Sequence, residues 1–399
     1  MRALGLILLC LFSGVIICAR EESPLPENLI HHFSAGVGAD YVPSSIIDPV
    51  FSQEEKDPTV FVNSSLAFYF KYSFSFCDPG IRNYYPGGYQ GIGANIMALG
   101  LPNGNKLDRA QRNIGLPVSL YVFQGAPFLK MPHGFSLGYE WQFGASGGWM
   151  PYSYHNQGFN LKVGSAVNAY LNLGLTVRKR FNKRFSLEAG LSLSHFSNGN
   201  TSWPNPGVNA LGLRIGMVLD PAGSPGKYPD VKSDTVSRKR LDFDLSVWGA
   251  PRRRVYKGGE EPVLLSGYYG VAGLSFSPLY RFGRWIKAGG SADFQWDGSS
   301  GLVANYISGS VAEEIKYEVP SVGRQLSFGL AAHAELCMPI FSLNIGVGYN
   351  FLAPRENRKT YQSITLKTYL SKVLYLNVGY QLRDFSQQSN LMLGMGVTL

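Results

Sequence analysis

A histidine, a serine and an asparagine fall on one face of a predicted β-hairpin, and these three residue types together can cleave an ester bond. Within 185–197 the odd positions are apolar as far as His195 and Ser197, whereas the even positions are mostly polar or small, which is the alternation of a strand. The alternation resumes after a loop in 209–217, where Asn209 starts the apolar face. If the two strands pair, the three side chains supply a nucleophile, a base and a group that orients the base.

The face that carries these residues is the apolar one, which allows two interpretations. Either His195 and Ser197 take part in chemistry at an apolar surface, or they only mark the level at which an apolar band ends and water begins. The alternation by itself leaves both interpretations open.

The stretch 195–209, HFSNGNTSWPNPGVN, resembles the active-site stretch of the outer-membrane lipid A 3-O-deacylase (PagL-type) and acyloxyacyl hydrolase family. That family carries His-x-Ser-Asn, followed after a short loop by Pro-Asn-x-Gly-x-Glu. The residues that match are His195, Ser197, Asn198, Pro204, Asn205 and Gly207. The family's Glu falls on Asn209, whose amide oxygen can accept the imidazole N–H but cannot neutralise an imidazolium. The resemblance covers about residues 26–220 and implies a closed eight-stranded barrel for that half.

The resemblance implies hydrolysis of an ester-linked acyl chain of lipid A or lipopolysaccharide, without a cofactor. Ser197 would attack the ester carbonyl, His195 would accept and return the proton, and Asn209 would hold the imidazole tautomer. Asn198 and a backbone N–H near Gly199 would donate to the oxyanion. The residues expected to support the loop are Pro204, Asn205 and Gly207.

Composition indicates an exported all-β membrane protein. The chain of 399 residues is 45% apolar and 16% charged, with 47 Gly, 23 Tyr and 24 Phe, a profile typical of large β proteins. Residues 1–19 have one early Arg and an apolar run, as a secretory signal peptide does, and no later stretch is apolar for long enough to form a membrane-spanning helix. We therefore expect an outer-membrane protein in contact with membrane lipid.

Alternating segments fill both halves of the chain. The clearest is 64–76, where Leu66 and a row of Phe and Tyr occupy one side, an arrangement that is favourable against lipid. In the first half we predict strands near 31–42, 64–76, 88–99, 115–123, 133–146, 164–180, 185–197 and 207–219. In the second half we predict strands near 241–249, 264–276, 285–296, 325–338, 341–351, 361–370, 373–384 and 390–399. These segments predict a transmembrane outer-membrane β-barrel protein of about 16 antiparallel strands.

The segments divide the chain into a signal peptide at 1–19, a deacylase-like barrel half at 20–220, a Pro/Gly-rich linker at 221–240 and a second barrel half at 241–399. Sixteen strands allow either one wide barrel or two eight-stranded barrels in tandem. Because tandem barrels in one chain are rare, we prefer one continuous barrel, although the length of the linker favours two. Short turns alternate with long loops, which places the loop after 197 toward the external leaflet.

The second barrel half lacks the catalytic motif. Its stretch 376–389, LNVGYQLRDFSQQS, resembles LEAGLSLSHFSNGN of the first half, but Asp384 stands in the place of His195. This weak repeat predicts a duplication with chemistry confined to the first half. The departure at Asn209 and the additional half leave an alternative function open, a non-enzymatic outer-membrane channel or structural barrel with a decayed site.

Charged residues and cysteines add few constraints. The formal net charge of +9 suits basic loops near anionic lipopolysaccharide or simply solvated turns, and nucleic acid is not expected as a partner of an exported barrel. The six His residues form no metal-binding spacing, so no metal site is expected. The charged residues predicted to pair inside the barrel are Glu140, Glu188, Arg178 and Arg214. The pairing of Cys77 with Cys337 and the oligomeric state are left open.

Overall fold

The computed structural model describes most of both halves of the chain. The described residues are 29–42, 64–76, 87–100, 114–151, 162–221, 240–256, 263–265, 267–283, 285–306, 315–338, 340–353, 359–385 and 387–399. The predicted signal peptide, most of the predicted linker and Cys77 lie outside these residues. The described residues form two units, one within 29–221 and the other within 240–399.

The first unit contains a closed barrel of eight antiparallel strands. The strands are β1 Leu29–Tyr41, β2 Ser64–Phe76, β3 Tyr89–Leu99, β4 Gly115–Met131, β5 Phe135–Trp149, β6 Asn168–Arg180, β7 Phe185–Ser197 and β8 Val208–Leu219. Each strand pairs with the next in the chain, and β1 pairs with β8 to close the barrel. The turn between β4 and β5 is a short 3₁₀ helix, Pro132–Gly134.

The second unit contains another closed eight-stranded barrel. Its strands are β9 Leu241–Arg252, β12 Tyr269–Arg281, β13 Ile286–Asp297, β16 Leu326–Cys337, β17 Phe341–Leu352, β18 Thr360–Tyr369, β19 Leu374–Arg383 and β20 Gln387–Thr398. Strand β20 pairs with β9 to close it. Its loops also contain two small hairpins. One pairs β10 Val255–Tyr256 with β11 Val263–Leu264, and the other pairs β14 Val303–Tyr306 with β15 Ile315–Glu318. A helical turn, Val322–Gln325, precedes β16.

The all-β prediction is confirmed, but the preference for one continuous barrel was wrong. Strands β8 and β9 would have to pair with each other to build a single wide barrel, yet β8 pairs with β1 and β9 pairs with β20. Each sheet therefore closes on itself, and neither barrel leaves an unpaired strand edge. Most predicted strands agree with the structure within three residues. The exceptions are β4, which continues to Met131, β6, which begins at Asn168, β12, which lies about five residues later than predicted at Tyr269–Arg281, and the two small hairpins, which were not predicted.

The interior of the first barrel is filled by a network of paired charges. The Lys71 ammonium lies 2.8 Å from Glu140 and 3.4 Å from Glu188, and Arg178 donates to Glu188 at 2.6 Å. The Arg214 guanidinium lies 3.8 Å from Asp40. The four charges that the sequence placed inside the barrel are thus paired, as predicted. Alternate positions face outward and are apolar, and the exposed ones include Phe68, Phe70, Ile92, Leu120, Leu173, Leu191 and Leu213.

The second barrel repeats this arrangement with other residues. The Lys367 ammonium bonds both Asp244 and Glu335, and Lys287 lies 3.0 Å from Asp242. Because burying an unpaired charge is costly, these pairs keep the interiors of both barrels compatible with a sheet that is apolar on its outer face. Among the described residues, no helix is long and apolar enough to cross a membrane.

Candidate functional site

His195 and Asn209 face each other across the last two strands of the first barrel. They form a directly opposed pair in the β7–β8 register, and His195 Nδ1 lies 2.8 Å from Asn209 Oδ1. Because an amide oxygen only accepts, this bond assigns the proton to Nδ1 and leaves Nε2 as an acceptor. The hairpin that the alternation predicted therefore exists and orients the imidazole.

Phe196 explains why its two neighbours point away from the barrel interior. Its side chain is 1% exposed and its ring lies 5.1 Å from the rings of Trp149 and Tyr170. Since successive residues of a strand point to opposite faces, burying Phe196 turns His195 and Ser197 outward. They share that face with apolar residues such as Leu191 and Leu193, which are 53% exposed.

Ser197 and His195 both lie next to Gly207. A Cβ at Gly207 would lie 3.0 Å from His195 Cε1 and 3.3 Å from Ser197 Cβ, so both residues approach the same side of this glycine. Within the described part of the chain no hydrogen bond joins Ser197 to His195. Catalytic contacts are often long in unliganded enzymes and tighten when the substrate binds.

The loop between β7 and β8 is held by Asn198 and Asn205. The Asn198 side chain is 3% exposed, and its Nδ2 donates to the carbonyl oxygens of Ser202 at 2.8 Å and Pro204 at 3.3 Å. Its backbone N–H donates to Asn205 Oδ1 at 2.9 Å. Both amide hydrogens of the Asn198 side chain are thus used within the loop, which favours a supporting role over the oxyanion role expected from the sequence.

The backbone N–H of Gly199 is a candidate hydrogen-bond donor two residues after Ser197 in the chain. Gly199 and Asn200 have φ values of +62° and +64°, and Thr201 N–H donates to Asn198 O at 3.3 Å, so a tight turn follows Ser197 directly. Gly199 is a buried residue, and none of the hydrogen bonds found between the described residues of this loop uses its N–H as the donor. A backbone N–H that follows a nucleophile in a tight turn is suited to bind an oxyanion.

A second segment packs against this loop and was not expected from the sequence. Gly207 N–H donates to Lys162 O at 3.1 Å, and a Cβ at Gly164 would lie 2.4 Å from the Trp203 carbonyl carbon. The segment before β6 therefore helps to fix the loop. A glycine next to a loop gives no sequence signal for such a contact, since it depends on how two loops meet.

Replacing Gly207 by alanine should disable the site without unfolding the barrel. The new Cβ would lie 2.5 Å from Phe196 O and against the His195 ring, at a φ of +76° that side chains rarely adopt. Because a displacement of about 1 Å in a catalytic group costs about 10²-fold in rate, kcat for the ester hydrolysis expected from the sequence should fall by that order in the purified protein. A suitable control is Gly267→Ala in the second barrel, where φ is +92° and the space is open. Equal kcat values for the two variants would contradict the prediction.

Two family profiles match the chain. The profile described as "Lipid A 3-O-deacylase (PagL)" matches residues 69–218, which include the His195–Asn209 pair. The profile described as "Acyloxyacyl hydrolase, C-terminal domain" matches residues 241–399. The chain belongs to the lipid A 3-O-deacylase family. Membership makes it an ester hydrolase, and the family and the barrels together identify an outer-membrane protein that acts on lipid A.

These matches extend the resemblance beyond the motif. The sequence motif pointed to the family only over about residues 26–220, whereas the second profile spans the whole second barrel. The second barrel is thus a recognised part of an acyloxyacyl hydrolase, and not an unrelated addition to a deacylase. No curated protein sequence matches the chain.

Comparison with solved structures returns outer-membrane barrels at low similarity. "KdgM porin in complex with disordered oligogalacturonate" is 9% identical over 71% of this chain and 92% of that chain, with a TM-score of 0.17. A ferric enterobactin receptor (PfeA) mutant from Pseudomonas aeruginosa is 9% identical over 89% and 68%, with a TM-score of 0.26. The FrpB iron transporter from Neisseria meningitidis is 11% identical over 94% and 74%, with a TM-score of 0.20. At these scores the likeness carries no argument about function.

The second barrel holds no equivalent of the outward-facing site in its described residues. Asp384, in the place of His195, lies 2.9 Å from Lys359 and accepts from Thr360 at 3.0 Å. Within the described residues, no three His, Cys, Asp or Glu side chains gather as a metal site would require.

The second barrel does contain a Ser–His–Asn chain that the sequence did not reveal. His333 Nε2 lies 2.9 Å from Ser291 Oγ, and His333 Nδ1 lies 2.7 Å from Asn344 Oδ1. Ser291 is 5% exposed and also donates to Asp293 at 2.9 Å. The adjoining cavity is about 50 Å³, too small for an acyl ester, so this chain belongs to the packing of the interior.

Proposed function

We propose that this protein removes an ester-linked acyl chain from lipid A with a Ser197–His195–Asn209 triad on the outer wall of the first barrel. The observation that carries the proposal is the 2.8 Å bond between His195 Nδ1 and Asn209 Oδ1, which leaves Nε2 to act as the base. Family membership supplies the reaction class.

In the first step Ser197 Oγ bonds to the ester carbonyl carbon while its proton moves to His195 Nε2. The tetrahedral intermediate then breaks its bond to the sugar oxygen, which leaves with that proton. A water molecule repeats the sequence on the acyl-serine, giving a free fatty acid and restoring Ser197. Asn209 holds Nδ1–H throughout, so the imidazole keeps the tautomer that each proton transfer needs.

The oxyanion formed in both steps requires a donor that is already in place. The N–H of Gly199 fits this role because Gly199 is a buried residue two positions after Ser197, and none of the hydrogen bonds found in the described part of this loop uses that N–H. A single donor of this kind is typically worth about 3 kcal/mol of transition-state stabilisation. The proposal therefore assigns the oxyanion to the backbone of Gly199 and assigns Asn198 to the support of the loop.

The outward direction of the triad suits a substrate that is itself part of the membrane. Leu191, Leu193 and Leu211 lie on the same face and are about half exposed, so an acyl chain in contact with the wall reaches the site by lateral movement. No deep pocket is needed for such a substrate. The site would then stand toward the external leaflet, where lipopolysaccharide is found.

The test is the mass spectrum of lipid A from cells that produce the full chain. Wild-type protein should remove one ester-linked acyl chain, and Ser197→Ala should leave lipid A intact. Ser136→Ala is a matched control, since Ser136 is also half-buried but lies at the other end of the barrel. Intact lipid A in cells that hold folded wild-type protein would refute the proposal.

The residue at position 209 should set the rate without being indispensable. Asn209→Ala removes the partner of Nδ1, and kcat should fall by about 10²-fold, at the lower end of the usual contribution of acid–base catalysis. Asn209→Glu adds a charge that stabilises the imidazolium, and kcat should rise by about tenfold. The measurement is kcat on purified lipid A in mixed micelles. A glutamate variant as slow as the alanine variant would show that the side chain does not act on the imidazole.

The alternative of a channel finds no support in the barrel interiors. The described interiors are filled by paired side chains, and the cavities beside Lys71 and beside His333 are only about 30 and 50 Å³. An eight-stranded barrel is just wide enough for its own side chains.

A further inference from the structure

The outer wall of the second barrel contains an apolar groove of about 1530 Å³ near the end of β9 and the start of β12. Ligand pockets for small molecules are usually about 300–1,000 Å³, so this groove is large enough for a lipid chain. It is built from the second barrel alone and includes none of the residues assigned to hydrolysis.

Small residues on neighbouring strands make the floor of the groove. Gly249 of β9 is paired with Ala272 of β12, which is paired with Trp296 of β13. On the other side Gly249 is paired with Leu393 of β20. The outward face therefore carries two small residues between two large ones, and the floor continues through Gly270 on the same face. These small residues form the floor of the groove, which is called the trough below and which runs along the strands between Leu393 and Trp296.

The aromatic wall of the trough is held in place by polar contacts. Trp296 Nε1 donates to Gln325 Oε1 at 2.7 Å, and Gln325 Nε2 donates to Pro320 O at 3.0 Å. The Trp296 ring also lies over Gly270, where a Cβ would be 3.0 Å from Cζ3. The trough is therefore formed before any ligand arrives, which lowers the cost of binding.

The rim of the trough is positively charged. Arg324, in the helical turn before β16, is exposed and lines the trough. The Arg253 guanidinium lies 5.4 Å from the ring centroid of Tyr268, another lining residue. The nearby Asp297 is already bonded to Arg252 at 2.6 Å, so it does not cancel the charge at the rim.

We infer that this groove binds one membrane lipid with a phosphate headgroup, its acyl chain along Gly249 and Ala272 and its phosphate at Arg324. The wall of a barrel in the outer membrane is in contact with acyl chains, and an apolar trough in it is filled by one of them. Guanidinium groups bind phosphate with two parallel hydrogen bonds. Because the choline of a zwitterionic lipid offsets the charge of its own phosphate, the positive rim favours a lipid with a net negative headgroup. The inference goes beyond deacylation and does not depend on His195 or Ser197.

Native mass spectrometry of the full chain in detergent tests the inference. The protein carries Ser197→Ala so that no lipid is consumed, and it is titrated with dimyristoyl phosphatidylglycerol or dimyristoyl phosphatidylcholine. Ala272→Trp fills the trough and should abolish retention of both lipids. Arg324→Gln should weaken the binding of phosphatidylglycerol by about fivefold, the usual worth of one cationic side chain at an anionic lipid surface, and weaken the binding of the net-neutral phosphatidylcholine less.

Two variants control for the general effects of these substitutions. Ala332→Trp places the same side chain on the outward face of β16, outside the trough. Arg240→Gln removes the same charge beside Tyr280, at the opposite end of the barrel. Both should retain lipid as the Ser197→Ala protein does, and a heat-modifiable band on gels should confirm that every variant is folded.

The inference is overturned if Ala272→Trp retains lipid, or if Ala332→Trp loses it equally. It is also overturned if Ala272→Trp changes the oligomeric mass without changing lipid retention, because a second copy of the chain would then be the occupant. Each of these outcomes leaves the deacylation proposal standing, since that proposal is tested by hydrolysis and this one by binding.

Discussion

Replacing His195 by alanine is expected to lower kcat for lipid A deacylation by about 10⁴-fold or more, with little further loss when Ser197→Ala is added. A nucleophile and its base act as one unit, so removing either removes the same covalent pathway. The bond from His195 Nδ1 to Asn209 at 2.8 Å makes the imidazole the link between the other two residues. Single-turnover kinetics on purified lipid A measures each variant and the double variant.

The decisive feature of this experiment is the lack of additivity. If the logarithms of the two single losses add in the double variant, the residues act independently and the triad is wrong. Ser197→Ala that retains wild-type kcat would also exclude Ser197 as the nucleophile. Since His195 and Ser197 lie on the outer face, where no interior charge pair depends on them, both variants should fold as the wild type does.

The alternation of apolar and polar residues predicted the strands because it is a local property of the chain. Two neighbours of Phe196 must point outward once Phe196 is buried, and the same parity predicts that His195 and Asn209 share a face, as their pairing in the hairpin confirms. The charges of Glu188 and Arg178 were predicted inside for the same reason.

Closure of the barrels could not be predicted in this way. Whether β8 pairs with β1 or with β9 depends on edges that are far apart in the chain, and the alternation along a strand is the same in either case. The length of the linker predicted two barrels correctly, whereas the rarity of tandem barrels predicted one barrel wrongly. Closing an eight-stranded sheet pairs the backbone N–H and C=O groups of both edge strands. The alternation of apolar and polar residues carries no information about which strands pair in this way.

The sequence predicted which residues form the loop between β7 and β8, but it did not predict the role of each residue correctly. The resemblance gave Asn198 an oxyanion role, whereas its amide is bonded to Ser202 and Pro204. The positive φ values at Gly199 and Asn200 decide which N–H groups remain available, and this conformation is set by contacts across the loop. Backbone donors cannot be identified from side-chain types alone.

Replacing Lys71 by methionine is expected to destabilise the first barrel by about 3–5 kcal/mol. Lys71 is buried and bonds both Glu140 and Glu188, at 2.8 and 3.4 Å. Glu188 keeps Arg178 as a partner at 2.6 Å, but among the described residues Glu140 is left with only the neutral donors Tyr89 and Gln142. Breaking a buried ion pair by removing one partner costs this much because an uncompensated charge stays buried. Urea unfolding in lipid vesicles measures the free energy.

The companion change Glu140→Gln separates the lost pair from other effects of the substitution. In the Lys71→Met background Glu140→Gln removes the stranded charge and should recover most of the stability, although alone it should destabilise by leaving Lys71 with one acidic partner fewer. Deacylation measured well below the unfolding transition should be unchanged in all three variants, because neither residue reaches the outer face. Failure of Glu140→Gln to rescue Lys71→Met would mean that the buried charges do not hold the barrel together, and that its stability comes from the strand ladder and the apolar outer wall alone.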